Sequence, residues 1–273
     1  MGFGIPDYKN LDLSGEAEAA ARNMEDRARE PASQALFDSL VGPLIAPDTR
    51  VVLEVGCGTG ALAARIADYN TQAYVLGTDK SEGMIRAARG LRASEGERQL
   101  SFELWDVTDP GAALSEAEFD LIASSVVIPY LTGEQTVDAV ERFGGMLSTN
   151  GILAFFEQDI DTLEVTAPFP EFGERIARRT RAALTNPYLG LGLLPVLEEA
   201  GLETMPVESF AWTDRTYCPY VRRLLERTAK DLVKAGDASD DEATAWLEGI
   251  AELAARGEFL YSLTYRRIAG IKT

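Results

Sequence analysis

The residues of this 273-residue chain that could bind a small ligand are concentrated in one short segment, residues 51–60. Four apolar residues among the first five predict a buried strand of a parallel sheet. Gly56, Gly58 and Gly60 then allow a sharp backbone turn and a close approach to a ligand. The helical pattern that follows points backbone amides at the same place. The segment, which includes Cys57, therefore predicts a nucleotide or nucleoside site.

Glu54 discriminates between the ligands that such a site could take. The glycines alone satisfy a dinucleotide pattern loosely. An acid two residues before the first glycine would repel a pyrophosphate but could help to hold a cationic amino-acid group, such as the one in S-adenosylmethionine. The segment Glu54–Gly60 thus resembles the first motif of class I S-adenosylmethionine-dependent methyltransferases. The alternative is a glycine-rich turn that binds nothing.

A second predicted strand, residues 74–79, ends in an acid at the spacing that the resemblance requires. Asp79 could accept hydrogen bonds from both ribose hydroxyls. The alternative is that Asp79 only caps the following helix, which begins with Lys80. We include Lys80 and Met84 among the candidate cofactor contacts, although the spacing of Met84 is more typical of a core residue.

Two further strands are predicted to bring side chains to the same edge of the sheet. Residues 100–107 resemble the family segment in which an acid accepts the adenine amino group and the next amide meets a ring nitrogen. Asp106 and Val107 occupy those positions, although a lone Asp after a strand is usually a turn residue. The strand at 119–127 leaves Ser124 at the edge of the crevice.

The alternation of strands and helices predicts an α/β fold with a doubly wound, Rossmann-like sheet. We expect seven strands, with the last antiparallel. Residues 1–47 should form an N-terminal helical arm, and residues 48–212 with 258–273 the cofactor-binding core. Residues 213–257, between strands six and seven, should form a helical cap over the substrate side. The resemblance extends to small-molecule methyltransferases of the methyltransferase-11 and -25 type.

The chain contains no histidine, which limits the catalytic side chains available beside the cofactor. A hydroxyl acceptor usually needs a general base, which is often histidine. Glu157 and Asp159 directly follow the fifth predicted strand, where one of them could act as a base or attract an amine. The alternative is a solvated loop. Tyr8 and Tyr130 are the phenols to test next, although tyrosines more often serve packing. We predict no metal site.

The composition excludes several classes of partner. The chain has 26 Lys and Arg against 44 Asp and Glu, a net charge of −18, which disfavours a nucleic-acid partner. Its two cysteines do not suggest a disulfide framework. We find no signal peptide and no 18-residue apolar run, so we expect a soluble, cytoplasmic protein without a membrane partner. A homodimer is left open.

These observations predict methyl transfer from S-adenosylmethionine to an O or N atom of a small, partly apolar metabolite in a biosynthetic pathway. The first alternative is a relative of the same fold that binds the cofactor but catalyses a non-methylating step, as a cyclase or decarboxylase. A nicotinamide oxidoreductase is the second alternative. A protein- or RNA-methylating enzyme is the third and is disfavoured by the charge.

Overall fold

A computed structural model describes residues 10–92, 99–109, 114, 118–186 and 189–273 of the chain. Its centre is one sheet in the strand order β3-β2-β1-β4-β5-β8-β6, with β7 also pairing with β8. The strands are β1 Val51–Val55, β2 Tyr74–Asp79, β3 Leu100–Leu104, β4 Phe119–Ser125, β5 Leu147–Val165, β6 Glu203–Thr204, β7 Glu208–Asp214 and β8 Tyr261–Ile271. Strands β1 to β5 are parallel and β8 is antiparallel to β5. The predicted α/β, doubly wound class with an antiparallel last strand is confirmed.

Within the described residues the sheet has eight strands where the sequence predicts seven, because the predicted sixth strand, about residues 203–212, is split into β6 and β7. Both segments run antiparallel to β8. Thr204 pairs with Gly270 and Glu208 with Arg267, so the register shifts between them. Pro206 lies in the gap and has no N–H to donate to β8, which explains the interruption.

Strand β5 is much longer than the predicted strand five, and this corrects one expectation. Residues 157–161, which the sequence analysis places after the strand, are part of it. Its backbone continues to pair with β8, with Glu157 opposite Arg266 and Asp159 opposite Thr264. An antiparallel neighbour supplies hydrogen-bond partners beyond the point where the parallel strands end, so β5 continues past the usual edge of the sheet.

Helices cover both faces of the sheet. Their bounds are α1 Leu11–Ser14, α2 Ala17–Arg29, α3 Pro31–Leu36, α4 Ala61–Tyr69, α5 Glu82–Arg92, α6 Gly133–Met146, α7 Pro170–Ala183, α8 Leu189–Glu199, α9 Pro219–Ala235 and α10 Asp240–Ala255. Alternate residues of β1 enter separate cores: Val52 belongs to the cluster that contains Ile66 of α4, and Leu53 to the one that contains Phe143 of α6. Within the described residues no helix is long and apolar enough to cross a membrane.

The N-terminal helices are fastened to the core near the carboxyl ends of the strands. Asp12 accepts hydrogen bonds from the backbone amides of Glu82 and Gly83 at 2.9 and 3.0 Å, and from the Ser81 hydroxyl at 2.8 Å. It therefore caps helix α5 from a distant part of the chain. On α2, Glu25 forms an ion pair of 2.5 Å with Arg92 of α5.

Helix α9 reaches the same arm from the other side. Asp26 of α2 pairs with Arg223 of α9, and Glu16 pairs with Arg227 at 3.4 Å. Behind α9, Trp246 of α10 is fully buried and stacks on Phe172 of α7, with ring centroids 4.8 Å apart. The arm and α9 thus meet over the carboxyl ends of the parallel strands.

The pairing of Glu25 with Arg92 gives a test of how the arm is held. Both side chains are only 11–12% exposed, so replacing Glu25 with alanine leaves a cation with little water. We expect the free energy of unfolding to fall by roughly 2 kcal/mol, between the values typical of surface and fully buried pairs. Glu18→Ala on the same helix is the control, because its pair with Arg22 is 92% and 70% exposed. Equal losses in the two variants, measured by chemical denaturation, would contradict this account.

Candidate cofactor and substrate site

One cavity of about 300 Å³ lies under the arm and α9, at the carboxyl ends of β1, β2 and β4. We call the part bordered by the glycine turn, Asp79 and Asp106 the cofactor end. The rest, which we call the acceptor chamber, is largely apolar and aromatic and is bordered by Phe37, Phe156, Trp212, Tyr220, Tyr261 and Tyr265. Such a concave, mostly apolar site with a few polar groups is typical of small-molecule binding.

The glycine turn has a shape that side chains would prevent. Gly56, Gly58 and Gly60 have φ angles of +70°, +53° and +73°. A Cβ on Gly56 would lie 2.2 Å from a methyl of Val127, and one on Gly58 would lie 2.6 Å from the Met24 sulfur. Gly60 directly precedes helix α4 and shapes the turn without lining the cavity. The turn therefore provides the close backbone approach that its spacing predicts.

Asp79 lies at the end of β2 and borders the cavity. One of its oxygens accepts a 2.9 Å hydrogen bond from the Gly58 amide, and the other accepts one of 2.9 Å from the Ser81 amide. Burial raises the pKa of Asp79, and the two amides oppose that rise. Each oxygen keeps a lone pair that can accept a hydroxyl. Asp79 therefore fixes the glycine turn and the start of the next helix, and it can still bind a ribose. Helix capping and ribose binding, which the sequence suggests as alternatives, are thus compatible. Lys80 is exposed at the rim of the cavity.

Glu54 lies beneath the turn and is 3% exposed. Its Oε2 accepts a 2.8 Å hydrogen bond from the Ala63 amide in the first turn of α4. Burial raises the pKa of Glu54 to about 8, so the carboxyl is largely protonated near neutral pH. A cationic ligand would favour the ionised form. Next to it, burial also raises the pKa of the Cys57 thiol, and the Cys57 amide donates to the Thr78 carbonyl at 2.8 Å.

The predicted adenine contacts also lie at the cofactor end. Asp106 and Val107 both border the cavity, and so does Trp105. The Asp106 Oδ1 accepts hydrogen bonds from the Thr108 amide and hydroxyl at 2.9 and 2.7 Å, which fixes the carboxylate. The Trp105 amide donates to the Asp79 carbonyl at 3.0 Å, so the ends of β2 and β3 are joined.

Besides Gly60, two predicted cofactor contacts lie away from the cavity. Met84 is completely buried in a cluster with Leu11 and Ala20, where it anchors the arm. Ser124 is 1% exposed and its hydroxyl has no hydrogen-bond partner among the described residues. Side chains alternate along a strand, so the next residue, Ser125, borders the cavity instead.

The turn after β4 has an unusual backbone. Val126 has a φ of +57°, which a β-branched residue rarely adopts. Its amide donates to the Phe156 carbonyl at 3.1 Å, and both Val126 and Val127 border the cavity. Strained residues of this kind cluster at functional sites. The conformation positions Val127 against the glycine turn.

Of the predicted catalytic residues that the structure describes, one borders the cavity and two do not. Tyr130 borders the cavity, whereas Glu157 and Asp159 do not. Asp159 is held by Arg266 with a shortest contact of 2.5 Å, and Glu157 is 3% exposed within β5. Because both acids are paired into the sheet instead of standing in a loop, the geometry gives no support to a catalytic role for them. Tyr8 lies outside the described residues.

The buried carboxyl of Glu157 should make stability depend on pH. Burial raises its pKa to about 8, opposed in part by the amides of Ile128 and Val127, and neither oxygen has a hydrogen-bond partner of good geometry among the described residues. Between the unfolded and folded pKa values the folded chain binds more protons, so this group stabilises the fold at acid pH and that contribution is lost as pH rises toward 8.

We therefore expect that in Glu157→Gln the free energy of unfolding decreases less steeply with rising pH than in wild type. The free energy of unfolding of the variant, relative to wild type, should rise on the order of 3 kcal/mol from about pH 5 to about pH 8. Glu164→Gln, an exposed position on the same strand, is the control and should follow wild type. Parallel pH profiles for wild type and the Glu157 variant would show that this carboxyl ionises normally.

The sequence does not predict the residues that form the acceptor chamber. Tyr261 and Tyr265 of β8 face it with Trp212 of β7. The alternation of apolar residues along 261–265 indicates one inward face, but not that this face looks into a cavity. Arg27 of the arm also borders the cavity, and nothing in the sequence distinguishes it from the other arginines of the arm.

Comparisons with known proteins agree with this geometry. Residues 53–153 match a family model described as a methyltransferase domain. An uncharacterized methyltransferase of Mycobacterium tuberculosis is 32% identical over 118 residues, which cover 43% of this chain and 55% of the relative. A trans-aconitate 2-methyltransferase of Methylobacterium radiotolerans is 32% identical over 130 residues, covering 48% of this chain and 44% of the relative.

Two solved structures share the fold at low sequence identity. One is phosphoethanolamine N-methyltransferase 2 of Haemonchus contortus in complex with S-adenosylmethionine, with a TM-score of 0.59 at 15% identity, covering 98% of this chain and 60% of that one. The other is the cyclase SpnF, with a TM-score of 0.51 at 18% identity, covering 93% of this chain and 81% of that one. At these identities they establish the fold alone.

The family match, together with the fold, confirms the resemblance predicted from the sequence. Residues 53–153 lie in a class I S-adenosylmethionine-dependent methyltransferase domain, and S-adenosylmethionine is the cofactor of that class. The chain spans about half the length of the curated relatives it matches.

Proposed function

We propose that this protein transfers the methyl group of S-adenosylmethionine to an O or N atom of a small, partly apolar metabolite. The observation that carries the proposal is the continuity of the cavity. It runs from the glycine turn and Asp79 into an acceptor chamber closed by the arm and α9. An acceptor bound in the chamber would lie next to the cofactor, and alignment of two reactants can supply much of the rate enhancement of an in-line displacement.

The chain's own residues have separable roles in this proposal. Asp79 and Asp106 bind the ribose and the adenine, and the glycine turn accommodates the amino-acid part beside Glu54. The apolar lining of the chamber excludes water from the acceptor. Tyr130 is the predicted catalytic phenol that borders the same cavity.

A small acceptor is favoured over a macromolecule by charge and shape. The chain carries a net charge of −18, which opposes binding of a phosphate backbone. The chamber lies under α2 and α9, which are joined by the ion pairs from Asp26 and Glu16. We therefore also propose that nucleic acid is not a substrate.

The test is the release of S-adenosylhomocysteine from S-adenosylmethionine during incubation with a panel of small acids, alcohols and amines that have apolar chains. Mass spectrometry should find one added methyl group on at least one panel member. A protein that binds S-adenosylmethionine but methylates no member of the panel would contradict the proposal and favour the alternative of a cyclase or decarboxylase on this fold.

A further inference from the structure

One face of helix α2, in the N-terminal arm, lies over the glycine turn. Residues 20, 23, 24 and 27 share this face, because a spacing of three or four residues returns to the same side of a helix. Ala20 is completely buried, and Asn23, Met24 and Arg27 border the cavity. A Cβ on Gly58 would lie 2.6 Å from the Met24 sulfur, so the helix and the turn are in direct contact.

Buried contacts fix α2 in this orientation. Ala20 and Met84 belong to one buried cluster, and Met24 packs against it. The charge of Arg27 lowers the pKa of Glu54, so the same helix face lies within electrostatic reach of the acid beneath the turn. The arm therefore covers the part of the cofactor end where the amino-acid part of S-adenosylmethionine would bind.

The glycine turn has few backbone donors left for a ligand. The amides of Cys57 and Gly60 donate to the carbonyls of Thr78 and Cys57, both at 2.8 Å. The Gly58 amide donates to the Asp79 carboxylate at 2.9 Å. The amino-acid part of the cofactor carries an ammonium and a carboxylate, and the carboxylate needs hydrogen-bond donors when it leaves water. At least one donor must therefore come from outside these three amides.

Asn23 supplies a donor at this place. Its carboxamide has two N–H donors and one acceptor oxygen. Among the described residues no hydrogen bond or ion pair engages the Asn23 side chain. The other polar side chains of α2 have partners, in the pairs Glu18–Arg22, Arg29–Asp26, Glu25–Arg92, Asp26–Arg223 and Arg27–Tyr265. Asn23 thus borders the cavity without a structural role for its polar group.

From this arrangement we infer that Asn23 binds the carboxylate of the amino-acid part of S-adenosylmethionine, so that the arm completes the cofactor site. The inference rests on the proposed function in taking S-adenosylmethionine as the ligand of this cavity. It adds a residue outside the matched range 53–153. A hydrogen bond from a carboxamide to a carboxylate is charge-assisted. A neutral donor also binds the carboxylate without forming an ion pair with the nearby acids Glu54 and Asp79.

The test compares two ligands that differ only in this carboxylate, S-adenosylhomocysteine and decarboxylated S-adenosylhomocysteine. Calorimetric titration measures the affinity of wild type and of each variant for both. Wild type should bind S-adenosylhomocysteine at least about tenfold more tightly than the decarboxylated ligand. Asn23→Ala should weaken the binding of S-adenosylhomocysteine by about tenfold and leave that of the decarboxylated ligand unchanged. Asn23→Asp should weaken S-adenosylhomocysteine further, because it places an anion against the carboxylate, and should not weaken the decarboxylated ligand.

Arg22→Ala is the control on the same helix. Its side chain is 70% exposed and its partner Glu18 is 92% exposed, so this variant should bind both ligands like wild type. A structural role for Asn23 would loosen the arm and weaken both ligands alike. Equal losses for the two ligands in Asn23→Ala, or no loss for either, would overturn the inference.

The outcomes also separate this inference from the proposed function. A loss confined to S-adenosylhomocysteine, in a protein that methylates no acceptor, would support the role of Asn23 and contradict methyl transfer. Methyl transfer by wild type together with equal ligand losses in Asn23→Ala would overturn the role of Asn23 and leave the proposed function in place. Failure of wild type to bind S-adenosylhomocysteine would overturn both.

Discussion

Replacement of Asp79 by alanine is expected to weaken the binding of S-adenosylmethionine by about 100-fold, because two hydrogen bonds to a charged group are worth about 3 kcal/mol together. The carboxylate accepts from the amides of Gly58 and Ser81, so its loss also releases the glycine turn from β2. Calorimetric titration measures the affinity, and thermal unfolding reports how much of the loss comes from a loosened fold.

Two further variants make the Asp79 result specific. Asp79→Asn keeps the shape and one acceptor oxygen, so it should be affected less than the alanine variant. Asp48→Asn changes an exposed acid before β1, at the opposite end of the sheet, and should bind like wild type. Binding by Asp79→Ala that equals wild type would exclude the ribose role.

Replacement of Gly56 by alanine is expected to reduce both stability and cofactor binding. The residue has a φ of +70°, which disfavours any side chain, and the new Cβ would lie 2.2 Å from a methyl of Val127. Val127 follows the strained Val126 and cannot withdraw without moving the turn after β4. We expect the free energy of unfolding to fall by about 2–3 kcal/mol and the affinity for S-adenosylmethionine to fall at least about tenfold.

Gly90 provides the matched control for this substitution. It lies within helix α5, and a Cβ there would meet no atom within 4 Å. Alanine at this position should raise the free energy of unfolding by about 0.5–1 kcal/mol and leave binding unchanged, because alanine has the higher helix propensity. If both glycine variants behaved alike, steric contact at the turn would not be the cause of the effect.

The cofactor end could be predicted from sequence because its residues act through local backbone geometry. A glycine turn between a strand and a helix, and an acid at the end of the next strand, occupy fixed positions relative to the sheet. Glu54, Asp79 and Asp106 accordingly border the cavity. At the end of β4 the structure differs from the expectation, because Ser124 is buried and its neighbour Ser125 borders the cavity.

The acceptor chamber could not be predicted in the same way, because it depends on pairings between distant parts of the chain. Residues 157–161 have the composition of a polar loop, and only the pairing with β8 makes them part of a strand. The same pairing removes Asp159 from the cavity and places Gln158 opposite Tyr265. Arg27 reaches the hydroxyl of Tyr265 only because the arm folds back over the core, 238 residues away in sequence.

The most direct test of the account is a crystal structure of the protein with S-adenosylhomocysteine bound. We expect the ribose hydroxyls on Asp79, the adenine beside Asp106, and the sulfur atom facing the chamber that Phe156, Trp212 and Tyr265 border. The methyl group of the donor would then point at an acceptor in that chamber. A sulfur atom turned away from the chamber, or a ligand bound outside this cavity, would contradict the account.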